Sequence, residues 1–101
     1  MSEKTEEKSE TRCHLSAIVH GRVQGVNFRY FTSQRARELG LTGYVRNKWD
    51  RTVEVIAEGE RAAVEKLLEF LKVGPSSARV IKVDTQWSGY TGQYKRFEVR
   101  Y

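Results

Sequence analysis

The stretch from Val19 to Tyr30, V-H-G-R-V-Q-G-V-N-F-R-Y, constrains this chain more than any other segment. It joins a strand-like run to a helix-like run, and Gly21 and Gly25 bracket the connection. A loop closed in this way can turn several backbone N–H groups inward, at the positive end of the helix dipole. Arg29, in the first helical turn, adds a planar guanidinium. The segment is therefore a candidate receptor for a tetrahedral oxyanion such as phosphate.

Glycine spacing alone leaves an ordinary strand-to-helix turn as an alternative. Gly21 and Gly25 are four positions apart, and no third glycine completes a dinucleotide-binding fingerprint. The Gly-Lys-Ser/Thr ending of a P-loop is also missing, since Val26 and Asn27 follow Gly25. Glycine is common in such turns because it accepts a positive φ, and most of these turns bind nothing.

The residue types in two separated segments resemble the signatures of the acylphosphatase family. The first is G-R-V-Q-G-V-x-F-R at 21–29, and the second is G-Y-V-R-N at 43–47, followed by V-E-V at 53–55. The closing F-E-V-R-Y at 97–101 is also similar. The resemblance covers residues 13–101. It implies an enzyme that hydrolyses the carboxyl–phosphate anhydride of acyl phosphates to a carboxylate and inorganic phosphate.

The resemblance also implies roles for individual residues. Arg29 would hold the phosphoryl oxygens. Asn47, at the end of the second strand, would hold the attacking water, because a neutral amide offers both a donor and an acceptor. The phosphate-binding loop would supply backbone N–H donors from Gly21, Arg22, Val23, Gln24, Gly25, Val26, Asn27 and Phe28. Without the paired motifs, the simpler interpretation of Asn47 is a turn residue that ends a strand.

Two residues depart from the pattern of similar sequences. Asn27 occupies a loop position that is often glycine in the family, and Arg51 follows an aspartate at a hairpin position that usually carries glycine. Asn tolerates a left-handed backbone better than most residues, so we expect the loop to keep its shape. A different turn at Arg51 could shift the strand end that carries Asn47. We expect both residues to tune the activity and not to abolish it.

The other chemistry-bearing residues do not favour a metal or a covalent nucleophile. Cys13 is the only cysteine, whereas soft-metal carriers of similar architecture use a pair. His14 and His20 are six positions apart, about 20 Å along a strand, which is too far to share an ion. Ser16 and Ser33 lack a nearby His–carboxylate pattern. We expect no cofactor, no metal and no covalent intermediate, since positioning and charge stabilisation can suffice for a mixed anhydride.

The composition indicates one globular domain in a chain of 101 residues, 39% hydrophobic and 31% charged. The formal net charge of +5 suits an anionic partner, although basic proteins often bind nothing acidic. Residues 1–12 have no apolar side chain after Met1 and predict a disordered tail, followed by a domain at 13–101. The single cysteine and the lack of long apolar runs predict a cytoplasmic monomer without membrane contact.

Hydrophobic periodicity predicts an α+β fold, the ferredoxin-like βαββαβ sandwich with an extra C-terminal strand. Its sheet would be antiparallel, with two helices on one face. The predicted strands are residues 14–19, 42–47, 52–58, 80–87 and 94–101, and the predicted helices are residues 30–39 and a segment after Gly59. The first helix would bury Phe28, Phe31, Ala36 and Leu39. The second would bury Val64, Leu67, Leu68 and Leu71, at i, i+3, i+4 and i+7.

The alternative function is a non-catalytic module of this fold that binds phosphate, another anion or RNA. RNA recognition needs aromatic side chains on the exposed face of the central strands. The third strand would instead present Glu54 and Glu58, on a face that we expect to be polar and solvated. The expected partners are therefore an acyl phosphate as substrate and inorganic phosphate as product and inhibitor, with no nucleic acid.

Overall fold

A computed structural model describes residues 11–101. The elements in chain order are β1 Arg12–Arg22, α1 Phe28–Glu38, β2 Thr42–Asn47, β3 Val53–Glu60, α2 Arg61–Val73, β4 Arg79–Gly89 and β5 Phe97–Arg100. The predicted βαββαβ order with one added strand is confirmed. Of the predicted tail, residues 1–10 lie outside the described residues. Arg12 already belongs to β1, where it pairs with Glu60.

The five strands form one sheet in the order β4-β1-β3-β2-β5. The first four pair antiparallel, as predicted. The added strand β5 runs parallel to β2, with Gly43 opposite Phe97 and Arg46 opposite Arg100, so the sheet is mixed. This pairing brings the end of β5 beside the end of β2, which is where Asn47 lies.

The core lies between the sheet and the two helices. Alternate residues of β1 are buried, as the period of two predicts, whereas β3 is buried on both faces from Val55 to Glu58, so Ile56 is not on a solvated face as predicted. On α2, Val64, Leu67 and Leu71 are buried as predicted, and Leu68 is partly buried. The central members of this core are Leu15, Ala17, Val19, Val53, Val55, Ala57, Val64, Leu67 and Leu71. Each fully buried Val or Leu side chain contributes about 1.5–3 kcal/mol. Neither helix within residues 11–101 is long and apolar enough to cross a membrane.

The buried face of α1 differs from the predicted one. Phe28 and Ala36 are buried, but Phe31 is 39% exposed, and Thr32 and Ser33 take its place in the interior. A helix repeats every 3.6 residues, so the line that starts at Phe28 continues through Thr32 to Ala36 and leaves Phe31 at its margin. The hydroxyl of Ser33 donates to the Tyr30 carbonyl, which satisfies it inside the core.

The predicted solvated face of the sheet is wrong at Glu58, which is completely buried. The connection between β4 and β5 folds over this side chain. Its carboxylate accepts hydrogen bonds from the N–H and hydroxyl of Thr91, the N–H of Gly92 and Nδ1 of His14. Burial is tolerable because four donors replace water. These contacts lower the pKa of Glu58, although burial alone would raise it.

Candidate active site

The connection that precedes α1 is shorter than predicted, because β1 continues through Arg22. The register between β1 and β4 shifts at Gly21, which pairs with Val80. A Cβ at Gly21 would overlap the carbonyl oxygen of Arg79, so glycine is required here by the close approach of β4. Gly21 and Arg22 therefore belong to the strand, and the irregular loop is residues 23–27.

The backbone of this loop leaves several donors unpaired. Gly25 (φ 74°) and Asn27 (φ 62°) both adopt left-handed conformations, the second being the residue that precedes α1. When left-handed residues alternate with residues in other backbone conformations, successive N–H groups can point toward one side, as in anion-binding nests. Within residues 11–101, the N–H groups of residues 24–27 have no hydrogen-bond partner. They lie at the positive end of the α1 dipole and are available to an anion.

A cavity of about 310 Å³, here called the main cavity, lies against this loop. Its volume is within the range of small-molecule sites. The residues that line it are Val23, Gly25, Asn27, Phe28, Arg29, Tyr30, Asn47, Val99 and Tyr101. The structure thus brings together both predicted catalytic residues, Arg29 and Asn47, and four residues of the predicted phosphate-binding loop.

The guanidinium of Arg29 contacts the last two residues of the chain. Nη1 donates to the Arg100 carbonyl at 3.0 Å, and the guanidinium carbon lies 4.6 Å from the centre of the Tyr101 ring. Arginine has five N–H donors, and in the part of the chain that the structure describes the others have no protein acceptor. Arg29 is therefore fixed in position while it still has donors for an oxyanion.

Asn47 is the last residue of β2, opposite Val53. Its side-chain oxygen Oδ1 is buried and has no hydrogen-bond partner among residues 11–101, a condition it shares only with Thr32 Oγ1. Leaving a buried acceptor unpaired costs about 1–3 kcal/mol. Such an exception is expected where a side chain is kept ready for a ligand or a water.

The side chain of Gln24 connects the loop to the β2–β3 hairpin. Its Nε2 donates to the carbonyls of Lys48 and Thr52, each at 2.8 Å. The hairpin is closed by a hydrogen bond from the Lys48 N–H to the Thr52 carbonyl at 2.9 Å. Asp50 accepts from the hydroxyl and N–H of Thr52, and these bonds lower the pKa of its carboxyl. The strand end that carries Asn47 is thereby held against the loop.

The remaining predicted loop residues lie outside the main cavity. Gly21, Arg22 and Gln24 line a second cavity of about 470 Å³ together with Arg51, and Val23 lines both cavities. Val26 lines neither cavity. Its carbonyl accepts a hydrogen bond from the Ser77 hydroxyl at 3.0 Å.

The other chemistry-bearing residues have structural partners. His14 pairs with Glu58, and His20 pairs with Asp84 at 2.9 Å. Cys13 is buried, and burial raises the pKa of its thiol. Across residues 11–101, no three His, Cys, Asp or Glu side chains are grouped so as to hold a metal ion.

The model of one protein family, described as Acylphosphatase, matches residues 15–99. This chain belongs to the acylphosphatase family. It is therefore an enzyme that hydrolyses the carboxyl–phosphate anhydride bond of acyl phosphates.

Individual acylphosphatases agree with this assignment over almost the whole chain. The acylphosphatase of Nocardia farcinica is 48% identical over 100 residues, which are 99% of this chain and 100% of the relative. That of Acaryochloris marina is 48% identical over 85 residues, or 84% of this chain and 90% of the relative. The crystal structure of acylphosphatase from Bacillus subtilis superposes with a TM-score of 0.85 at 36% identity, covering 88% of this chain and 99% of that one.

Sequence reasoning missed two parts of this acylphosphatase site. It gave no role to Val99 and Tyr101, which form a wall of the main cavity because β5 lies beside β2. It also treated Gln24 only as a backbone donor, and missed its side-chain contacts with the hairpin. The F-E-V-R-Y similarity at residues 97–101 was the one indication that Val99 and Tyr101 belong near the site. Nothing local to Gln24 indicated the second.

Proposed function

We propose that the phosphoryl group of the substrate binds in the main cavity, between the loop at 23–28 and Arg29, and that Asn47 holds the attacking water. The observation that carries the proposal is that Asn47, whose buried Oδ1 is unpaired, lines the same cavity as Arg29 and as Gly25 and Asn27, two of the loop residues with unpaired N–H groups. Together these groups provide what the reaction requires. The loop N–H groups bind an anion, the Arg29 guanidinium offsets its charge, and Asn47 Oδ1 accepts a hydrogen bond from water.

Each group acts at a different place in the reaction. The guanidinium and the loop N–H groups hold the phosphoryl oxygens and offset the charge that develops on them. Asn47 Oδ1 accepts a hydrogen bond from water and directs the oxygen lone pair at phosphorus. The water oxygen bonds to phosphorus as the bond to the carboxylate oxygen breaks, and the carboxylate leaves as a stable anion. One proton of the water stays on its oxygen, and the other passes to a phosphoryl oxygen, which gives inorganic phosphate. Positioning supplies most of the acceleration, because the leaving group is good.

The same receptor would accept the product. Inorganic phosphate presents the same oxyanion as the substrate, so we propose that it inhibits competitively from the main cavity. We further propose that the enzyme is a monomer. We place it in the cytoplasm, because its only cysteine is a buried free thiol that needs no oxidising compartment.

The alternative of an RNA-binding module is not favoured. The chain belongs to a family of enzymes. The sheet face that would stack bases carries Glu54 and Glu58, and the connection after β4 folds over the second of them.

The test is an assay with benzoyl phosphate in the presence of a chelator, combined with a phosphate titration followed by amide NMR. We expect hydrolysis, competitive inhibition by phosphate, and shifts concentrated at the amides of residues 23–29. Arg29→Ala should remove the localised shifts, while Arg35→Ala, an exposed arginine on α1, should leave them. Shifts scattered over the basic surface in the wild-type protein would contradict a defined receptor.

A further inference from the structure

The second cavity carries two arginines that the proposed chemistry does not use. Arg22 and Arg51 line it, and within residues 11–101 neither guanidinium has a hydrogen-bond or acidic partner. The carboxylate next in sequence to Arg51, Asp50, is occupied by Thr52. By contrast, Arg46 on the same hairpin is paired with Glu54. Two exposed arginines that line one cavity and have no protein partner among the described residues can together bind an anion.

Arg51 occupies the left-handed position of the β2–β3 hairpin turn. Arg51 has a φ of 76°, and Asn27 is the only other non-glycine residue of the described chain with a positive φ. Glycine adopts this conformation without strain, and asparagine tolerates it, but a long side chain such as arginine rarely does. The hairpin turn sets this conformation, since the Arg51 N–H donates to the Lys48 carbonyl. An arginine that bears its cost supports the hypothesis that the side chain has a use.

The second cavity shares one lining residue with the main cavity. Val23 lines both of them. Gln24 holds the hairpin that carries Arg51, because its amide donates to Lys48 on one side of the turn and to Thr52 on the other. The position of Arg51 relative to the loop is therefore fixed by hydrogen bonds.

We propose that the second cavity is a specificity subsite for a carboxylate on the acyl part of the substrate, recognised by Arg22 and Arg51. The preferred substrates are then acyl phosphates derived from dicarboxylic acids. The inference rests on the proposed function, because the phosphoryl group in the main cavity fixes where the acyl part begins. The subsite selects among acyl phosphates and takes no part in bond breaking.

The test compares two probes of equal size, 4-carboxybenzoyl phosphate and the neutral 4-carbamoylbenzoyl phosphate. We expect the wild-type enzyme to favour the carboxylate in kcat/KM by about fivefold, the scale of a partly exposed ion pair. Arg51→Gly, which suits the backbone, and Arg51→Gln should both abolish that preference. It should also weaken in high salt. Lys66→Gln, which removes an equal charge from the exposed surface of α2, should keep the preference.

The outcomes separate this inference from the proposed function. If both probes are hydrolysed and the ratio of their kcat/KM values is the same in the wild type and in both Arg51 variants, the subsite is refuted while the proposed function stands. If neither probe is hydrolysed, the proposed function itself fails, and the subsite fails with it. A preference that Lys66→Gln reduces as much as Arg51→Gly would show a general charge effect and would also overturn the subsite.

Discussion

Two polar side chains on neighbouring strands, Glu58 of β3 and Asn47 of β2, have opposite environments. Glu58 is completely buried, and four donors from Thr91, Gly92 and His14 surround its carboxylate. Asn47 presents a buried Oδ1 that has no partner anywhere in residues 11–101. In the first arrangement every carboxylate oxygen has a partner, and in the second one acceptor stays open.

The difference separates structural polar groups from functional ones. A buried polar group with all its partners stabilises one conformation, and here it fixes the β4–β5 connection on the sheet. A buried group without partners costs stability, and Asn47 differs from Thr32, the other such residue among those described, because it lines the main cavity. Glu58 should therefore affect stability more than activity, and Asn47 should affect activity more than stability.

The largest effect is expected at Arg29, which we propose to contact the phosphoryl oxygens. Arg29→Lys keeps the positive charge but loses the planar guanidinium, which can donate two parallel hydrogen bonds. The kcat/KM for benzoyl phosphate should therefore fall by about 10³. The matched control is Arg35→Lys, an exposed arginine of the same helix, which should stay close to wild type. If Arg29→Lys retains most of the activity, the positive charge alone suffices and the geometry of the guanidinium has no role.

Glu58→Gln tests the structural half of the comparison. In either orientation the new amide would turn its N–H groups toward another donor, either the Gly92 N–H or the donors of Thr91 and His14. The free energy of unfolding should therefore fall by about 2–3 kcal/mol in urea titrations. The kcat of the folded fraction should remain near wild type. Glu65→Gln, which loses only an exposed pair with Arg61, should cost less than about 0.5 kcal/mol. Equal losses for both variants would refute a special role for the buried carboxylate.

The pH dependence of stability offers a second test of Glu58. Its pKa is lowered in the folded protein, so its stabilising contribution is present above the ordinary carboxyl pKa and is lost as the pH falls through the folded value. Unfolding free energies measured below about pH 4 should therefore decline more steeply in the wild type than in Glu58→Gln. Parallel curves would place the acid sensitivity elsewhere.

The smallest effects concern the two left-handed residues. Arg51→Gly should raise the free energy of unfolding by about 0.5–1 kcal/mol, because relief of strain exceeds the added entropy of the unfolded chain. Asn27→Gly should change it by no more than a few tenths of a kcal/mol, since asparagine tolerates the conformation. Thermal unfolding of the two variants decides the point. Destabilisation by Arg51→Gly would mean that the side chain makes a stabilising contact.

Local patterns predicted the parts of the fold that depend on local periodicity. The bounds of β2 were predicted correctly at residues 42–47, and Val64, Leu67 and Leu71 of α2 are buried as expected. In α1, the helical repeat places Thr32 in line with Phe28 and Ala36, so Thr32 is buried and the more hydrophobic Phe31 is not. Side-chain type alone did not predict this. The direction of β5 was also beyond a local pattern, because it depends on pairing with a strand about fifty residues earlier.

The candidate site was predicted where the family motifs name residues, and missed where distant segments meet. Arg29 and Asn47 line one cavity, as their motifs implied. The side chain of Gln24 acts on carbonyls 24 and 28 positions away, and the burial of Glu58 depends on donors 33 positions away. Such contacts leave no periodic trace in the sequence, since each requires the folded sheet to bring the partners together.

The central claim, that Asn47 is kept unpaired for the attacking water, is tested most directly by Asn47→Ala. We expect kcat for benzoyl phosphate to fall by about 10²–10³ while KM and the affinity for inorganic phosphate stay near wild type. The free energy of unfolding, measured in parallel, should not fall by more than about 0.5 kcal/mol, because Oδ1 has no protein partner to lose. Full kcat in this variant would contradict the claim, and so would a large loss of stability.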